Sequence, residues 1–166
     1  MPEEKGEISS GNSSEVERRA LRLLVFREHS RAELCGKLKL KGATPELAER
    51  VLDSLEAQNA LNDRRFTEAY IAVRQARGFG PIRIRQELME KGVAGELIQE
   101  CLMESDPHWD WVLQQAARRR FGACPVTSYQ EWAKRVRFLE YRGFSLAVIK
   151  RVLVSGWEFA TDVASD

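Results

Sequence analysis

Few of the side chains in this 166-residue sequence that could do chemistry stand in catalytic order. His29 and His108 lie far apart, and neither has a carboxylate at relay or ligand spacing. There is no Ser–His–Asp order and no pair of acids in an evident cleft. Gly78-Phe79-Gly80-Pro81 is not a phosphate loop, because a preceding strand and a following Lys-Ser/Thr are both missing. Cys35, Cys101 and Cys124 are an odd number without CxxC spacing, which argues against a disulfide framework and against tetrahedral zinc. They read as free thiols in a reducing cytosol, with Cys101, on an apolar helical stripe, as a small core residue. No catalytic residue, metal or cofactor is expected.

The sequence offers guanidinium groups instead. Arg77-Gly78-Phe79-Gly80-Pro81 is followed by Arg83 and Arg85. The glycines permit positive φ and the proline fixes a helix start. The motif reads equally as an ordinary helix–helix turn or as one presenting Arg77, Arg83 and Arg85 beside a helix N-terminus, where phosphates and carboxylates are favoured. Arg83 and Arg85 fall about 200° apart on a helical wheel, flanking Ile84 and Leu88, so one flat partner would contact them unequally. Arg118-Arg119-Arg120 close another helix, where their charge complements the macrodipole. Arg137, Arg142, Lys150 and Arg151 belong to the same basic stretch. On one surface these groups would attract an acidic groove or a DNA backbone, with strong salt dependence.

The formal net charge of +1 hides segregation by sign. Residues 1–17 carry −4, 18–62 carry +3, 63–92 carry +3, 93–107 carry −4, 108–151 carry +6, and the tail from Val152 carries −3. No apolar run approaches the roughly 20 residues of a membrane-spanning helix. The acidic start has no apolar core and does not read as a secretory signal, so a cytoplasmic protein is expected.

The elements that position these groups read as helices. Residues 1–14 are polar and glycine–serine rich, an expected disordered arm. Glu15–His29 carries Val16, Ala20, Leu21, Leu24 and Val25 on one stripe. Ser30-Arg31-Ala32-Glu33 is a capping box, and its helix stops at Gly42. Thr44-Pro45 opens a helix with Leu47, Val51, Leu52 and Leu55 inward. Asp63 is expected to cap the next, with Phe66, Ala69, Tyr70 and Val73 inward. Helices then follow from Pro81 to Gly92, over Glu96–Met103, over Trp109–Phe121 behind the cap Asp106, from the second capping box Ser128–Glu131 to Gly143, and over Leu146–Val154. Gly122–Thr127 is a loop. Phe66, Tyr70, Phe79, Phe121, Phe138, Phe144 and the tryptophans are expected in the core rather than stacked on bases. Trp109 and Trp111, two apart, cannot both face inward.

These nine helices form three sets of three in register. Leu38, Leu88 and Leu139 each precede a glycine by four residues: Gly42, Gly92 and Gly143. Lys41, Lys91 and Arg142 stand immediately before those glycines, and Leu52, Leu102 and Leu153 ten residues after them. Self-similarity at a fixed period marks a repeat array. The expected fold is all-α: three tandem three-helix repeats in an elongated, curved array. Its divisions are an arm (1–14), repeats over 15–62, 63–105 and 106–154, and a tail (155–166).

Asp63-Arg-Arg-Phe66 with Ala69-Tyr70, then Arg77-Gly78-Phe79-Gly80-Pro81-Ile82-Arg83-Ile84-Arg85-Gln86-Glu87-Leu88 and Lys91-Gly92, resembles the RecX family of bacterial regulatory proteins. So do Ser30–Leu34 with Lys41-Gly42, and Arg137-Phe138-Leu139 with Arg142-Gly143-Phe144-Ser145. The family commonly has Asp-Asp where this chain has Asn62-Asp63. The resemblance covers roughly residues 18–155. It implies a non-catalytic regulator that binds the RecA recombinase and its filament on single-stranded DNA. Such a regulator lies in the filament groove, blocks extension or promotes disassembly, and so suppresses ATP hydrolysis, strand exchange and co-protease activity. Some members also bind DNA directly. The partner-binding residues expected here are Arg77, Arg83, Arg85, Arg118, Arg119, Arg137, Arg142, Lys150 and Arg151, with Gly78, Gly80 and Pro81 as a structural turn. No membrane and no small-molecule substrate is implied. The alternative, from short helix triads with tight turns, is a direct DNA-binding regulator of helix-turn-helix type.

Overall fold

Caps and glycine stops set the boundaries of the helices. The computed structural model describes residues 10–123 and 126–154. Among them it holds α1 (Ser10–Phe26), α2 (Arg31–Leu40), α3 (Pro45–Ala57), α4 (Asp63–Ala76), α5 (Pro81–Glu90), α6 (Gly95–Cys101), α7 (His108–Phe121), α8 (Tyr129–Tyr141) and α9 (Leu146–Val154), and no strand. Residues 1–9 of the expected arm, Cys124 and the tail from Ser155 lie outside the described residues. The described chain forms two compact units. One takes in the residues up to Ala69 together with Leu88–Cys101, and the other takes in Tyr70–Glu87 and the chain from Leu102 onward. The middle repeat therefore contributes to both, with α4 and α5 divided between them.

Local signals act largely as the residues dictate. The Ser30 hydroxyl accepts the Glu33 amide at 3.0 Å, Thr44 accepts that of Leu47 at 3.3 Å, and Asp106 accepts that of His108 at 2.8 Å. The helix ends are Schellman motifs. Gly42, Gly92 and Gly143 have φ of 92°, 74° and 92°. The following residue's amide reaches back to Leu38, Leu88 or Leu139, each at 3.1 Å.

Three expectations need correction. The cap of α4 is Asn62, whose side chain accepts the Arg65 amide at 3.0 Å, while the Asp63 carboxylate accepts the Arg31 amide at 2.7 Å. The buried face of α4 is displaced by one residue. Thr67 and Ile71 are buried with Phe66, and Ala69 and Val73 are exposed. Thr67 can go inward because its hydroxyl donates to the Asp63 carbonyl at 2.6 Å, so burial leaves no unpaired donor. Helix α1 begins at Ser10 and ends at Phe26, and Val25, placed on its inner stripe from sequence, is 85% exposed.

The first unit buries Val16, Ala20, Leu34, Leu38, Leu47, Leu52 and Leu55. In the second, Val112, Leu113, Leu139, Phe144 and Ile149 are buried. Trp109 is 3% exposed with its indole N–H on the Met103 carbonyl, and Trp111 is 53% exposed, as their spacing requires.

Each unit contains the same junction, in which the first turn of one repeat's middle helix meets the last turn of the next repeat's. In the first unit, the Ser30 hydroxyl at the head of α2 donates to the Lys91 carbonyl at the end of α5, at 2.6 Å. A Cβ on Gly92 would collide with that of Ala32. In the second, Gly80 N–H donates to the Arg142 carbonyl at 2.8 Å and Ile82 N–H to that of Gly143 at 3.1 Å. A Cβ on Gly80 would lie 2.5 Å from the Gly143 carbonyl carbon and 2.7 Å from Phe144 N, which are backbone atoms that cannot yield. Around Gly42 nothing lies within 4 Å of an added Cβ. Gly80→Ala is therefore expected to cost about 2–4 kcal/mol of unfolding free energy, and Gly42→Ala about 1–2 kcal/mol, for left-handed φ alone. Urea denaturation checks the difference, and equal losses would contradict the junction.

Candidate partner-binding surfaces

At the second unit's junction, three guanidinium groups surround one ring. The Arg74, Arg142 and Arg83 guanidinium carbons lie 3.8, 4.7 and 4.9 Å from the Phe79 ring centre. One carboxylate serves two of them and a phenol: Glu87 accepts Arg74 Nε at 2.7 Å, Arg83 Nε at 3.0 Å and the Tyr70 hydroxyl at 3.0 Å. Burial would raise the Glu87 carboxyl, but these three donors outweigh it and hold the group below its ordinary range. Arg142 is lowered, first by burial and then by the charges of Arg83 and Arg74. The ring faces accept what the single carboxylate cannot neutralise.

This arrangement sorts the sequence-predicted residues. Arg83 packs on Phe79 and Tyr141 and donates to the Tyr141 carbonyl at 3.1 Å. Arg142 donates to the Arg77 carbonyl at 2.8 Å, and Arg119 to the Ala76 carbonyl at 2.7 Å, so both close the C-terminal end of α4. Arg85 pairs with Glu104 at 2.6 Å and Arg151 with Asp110 at 2.5 Å. The side chains of Arg77, Arg118, Arg137 and Lys150 are exposed, with Arg137 bonded to the Ala133 carbonyl of its own helix at 3.3 Å. Gly78, Gly80 and Pro81, between α4 and the start of α5, are buried. At α5's N-terminus the amides of Gly80 and Ile82 are taken by the carbonyls of Arg142 and Gly143.

In the first unit the corresponding positions hold different chemistry. His29, where the second junction has Phe79, is 2% exposed. Its Nδ1 lies 3.0 Å from the Arg27 carbonyl and its Nε2 2.7 Å from Lys37 Nζ, so the neutral ring donates from Nδ1 and accepts at Nε2. Burial, then the neighbouring cations, lower its pKa. Glu33 receives Arg27 at 3.0 Å and Lys91 at 2.9 Å. Burial alone would raise its carboxyl, yet these two donors hold it at about 2. Burial pushes the Cys101 thiol up, which favours the unreactive protonated form.

The sequence reading missed a groove between α1 and α2. Leu23, Leu38, Phe26 and Leu40 line it, and Arg19, Arg22, Lys37 and Lys41 rim it. Phe26 and Leu40 are 87% and 86% exposed. The available signal was Lys37-Leu38-Lys39-Leu40-Lys41, which places Leu40 off the buried stripe and among cations.

Helical triads joined by stop glycines define a tandem-repeat scaffold. Models of the first, second and third three-helix domains of RecX match residues 18–55, 62–102 and 112–153. The regulatory protein RecX of Pseudomonas fluorescens strain SBW25 is 42% identical over 139 residues, which are 83% of this chain and 89% of that protein. That of Pseudomonas putida strain KT2440 is 38% identical over 138 residues, 83% of this chain and 88% of that protein. The crystal structure of RecX from Lactobacillus salivarius superposes with a TM-score of 0.73 at 20% identity, covering 87% of this chain and 96% of that one. The chain belongs to the RecX family of regulatory proteins. No helix among its described residues is long and apolar enough to cross a membrane.

The lowered Glu33 carboxyl has a consequence for stability. The stabilisation is fully present above pH 4.5, the group's ordinary value, and is lost as pH falls from there toward 2. Solvent screening leaves about 1–2 kcal/mol of it. Glu33→Gln is expected to flatten the pH dependence of unfolding free energy in that window, and an unchanged slope would remove the Arg27–Glu33–Lys91 contact as its source.

Proposed function

We propose that this protein binds the RecA recombinase and its filament on single-stranded DNA and inhibits ATP hydrolysis, strand exchange and co-protease activity by occupying filament surfaces. It is a cytoplasmic regulator, acts without catalysis, and needs no cofactor. Membership of the RecX family supports the choice of partner. The observation that carries the physical reading is that, of the cations singled out from the sequence, Arg77, Arg118, Arg137 and Lys150 stand exposed. Exposed guanidinium and ammonium groups suit an acidic protein surface or the phosphates of filament-bound DNA, and both attractions weaken with salt. An inhibitor of this kind acts in proportion to occupancy, so its effect saturates near stoichiometric binding.

The test is RecA-dependent ATP hydrolysis on single-stranded DNA, titrated with this protein at several salt concentrations. Inhibition is expected to weaken as salt rises. The fourfold variant Arg77→Glu, Arg118→Glu, Arg137→Glu and Lys150→Glu is expected to need at least about tenfold more protein for the same inhibition. Reversal at Arg83 or Arg85 is a poorer test, because both side chains are engaged within the fold. Undiminished inhibition by the fourfold variant would remove those residues from the interface. A tight, sequence-specific DNA complex formed without RecA would favour the helix-turn-helix reading instead.

A further inference from the structure

Each repeat has a middle helix with an opening end and a closing end. Ser30, Gly80 and Ser128 open these helices, and Lys41-Gly42, Lys91-Gly92 and Arg142-Gly143 close them. Two closing ends are covered: Lys91-Gly92 receives Ser30, Ala32 and Glu33, and Arg142-Gly143 receives Gly80, Ile82 and Arg83. The third, Lys41-Gly42, meets the first turn of no other middle helix among the described residues. A Cβ added to Gly42 meets nothing within 4 Å, whereas one on Gly92 or Gly143 strikes the first turn of the preceding repeat. The Lys41 carbonyl, matching the acceptors at Lys91 and Arg142, takes the Arg19 guanidinium at 3.0 Å from the same unit. Beside it lies the α1–α2 groove, with Phe26 and Leu40 almost fully exposed. A terminal repeat normally closes an array with a polar outer face, and this one does not.

The complementary half also exists in the chain. Ser128 opens α8 with the same Ser-x-x-Glu spacing as Ser30 opens α2, and its hydroxyl accepts the Glu131 amide at 3.3 Å. Ser30 and Glu33 supply the hydroxyl and carboxylate that engage the Lys91 carbonyl and ammonium at 2.6 and 2.9 Å. Ser128 and Glu131 carry the same two groups, and Lys41 carries the same carbonyl acceptor and ammonium donor to meet them. Tyr129, between them, is 74% exposed and supplies an aromatic ring for the apolar groove. The junction contacts involve only the first helical turn, so the greater length of α8 behind that turn does not alter the match.

We infer that the third closing end, Lys41-Gly42 with the α1–α2 groove, is a docking site for the first turn of α8, Ser128–Glu131, of a second copy of this chain. The contact is heterologous: each copy carries both halves, on different surfaces, so association continues from copy to copy rather than stopping at a symmetric pair. In it the Ser128 hydroxyl donates to the Lys41 carbonyl, which has a second lone pair beside the Arg19 bond. The Glu131 carboxylate pairs with Lys41, and Tyr129 covers Leu40 and Phe26. This inference is independent of the RecA reading.

Sedimentation of the full chain, alone and without nucleic acid, from micromolar to millimolar concentration tests it. The wild type is expected to gain mass with concentration. Lys41→Glu and Leu40→Glu, on exposed side chains, are each expected to weaken association at least about tenfold. The charge exchange Lys41→Glu with Glu131→Lys in one chain restores growth. An equimolar mixture of the two single charge variants, each defective alone, also grows, as an alternating array, because the closing end of each variant is complementary in charge to the opening end of the other. Circular dichroism checks that Glu131→Lys keeps its helix. Should it not, the Lys41→Glu and Leu40→Glu arms decide alone. A wild type that stays monomeric throughout, or one whose assembly neither groove variant diminishes, overturns the inference.

Discussion

The constraint on which this molecule depends is a backbone contact between helix ends. A helix must stop on a glycine in the left-handed region, and the first turn of another helix must come within van der Waals reach of that glycine. Gly92 and Gly143 satisfy both demands at once, which is why a side chain at either position strikes a neighbouring helix. At the second junction the partner residue is itself glycine, Gly80. It is followed by Pro81, which has no N–H to leave unpaired at N1, so the nearby amides that exist, those of Gly80 and Ile82, fall to the carbonyls of Arg142 and Gly143. Each helix end supplies what the other lacks, and buried polar backbone is satisfied without water.

Within that fixed geometry the side chains differ. The first unit's junction is an ion-pair site: a buried neutral His29, and a Glu33 carboxylate between Arg27 and Lys91. The second unit's junction has Phe79 where the first has His29 and Arg83 where the first has Glu33, so two like charges, Arg83 and Arg142, lie against one ring. The basic residue before the stop glycine is used differently in the two, since Lys91 pairs with Glu33 while Arg142 packs on Phe79 and donates to the Arg77 carbonyl. A high count of arginines therefore does not translate directly into a binding surface, because much of the cationic charge is engaged in closing helix ends and flanking rings.

The periodicity of stop glycines and leucines made the nine helices, their grouping in threes and most of the caps legible in the sequence. Two kinds of information were not. The first is long-range pairing: nothing local in Arg83, Arg119 or Arg142 distinguishes a guanidinium bound for a distant carbonyl from one bound for a partner. The second is competition between equivalent signals. Asn62 and Asp63 can both cap a helix, and the choice falls to Asn62 because the Asp63 carboxylate is engaged by the Arg31 amide, 32 residues away. The displaced face of α4 has the same origin, since the hydroxyl of Thr67 is silent until its own helix supplies an acceptor. The groove around Leu40 and Phe26 was hidden because a stripe of apolar residues looks the same whether or not a neighbour covers it.

The most direct measurement of this account is native-state hydrogen exchange of the Gly80 and Ile82 amides. First-turn amides of a helix have no acceptor within the helix and ordinarily exchange fast. The junction predicts that these two are protected to the level of Ile84 and Leu88 inside α5, because the carbonyls of Arg142 and Gly143 hold them. Exchange of Gly80 and Ile82 at the rate of exposed loop amides, with Ile84 and Leu88 still protected, would contradict it.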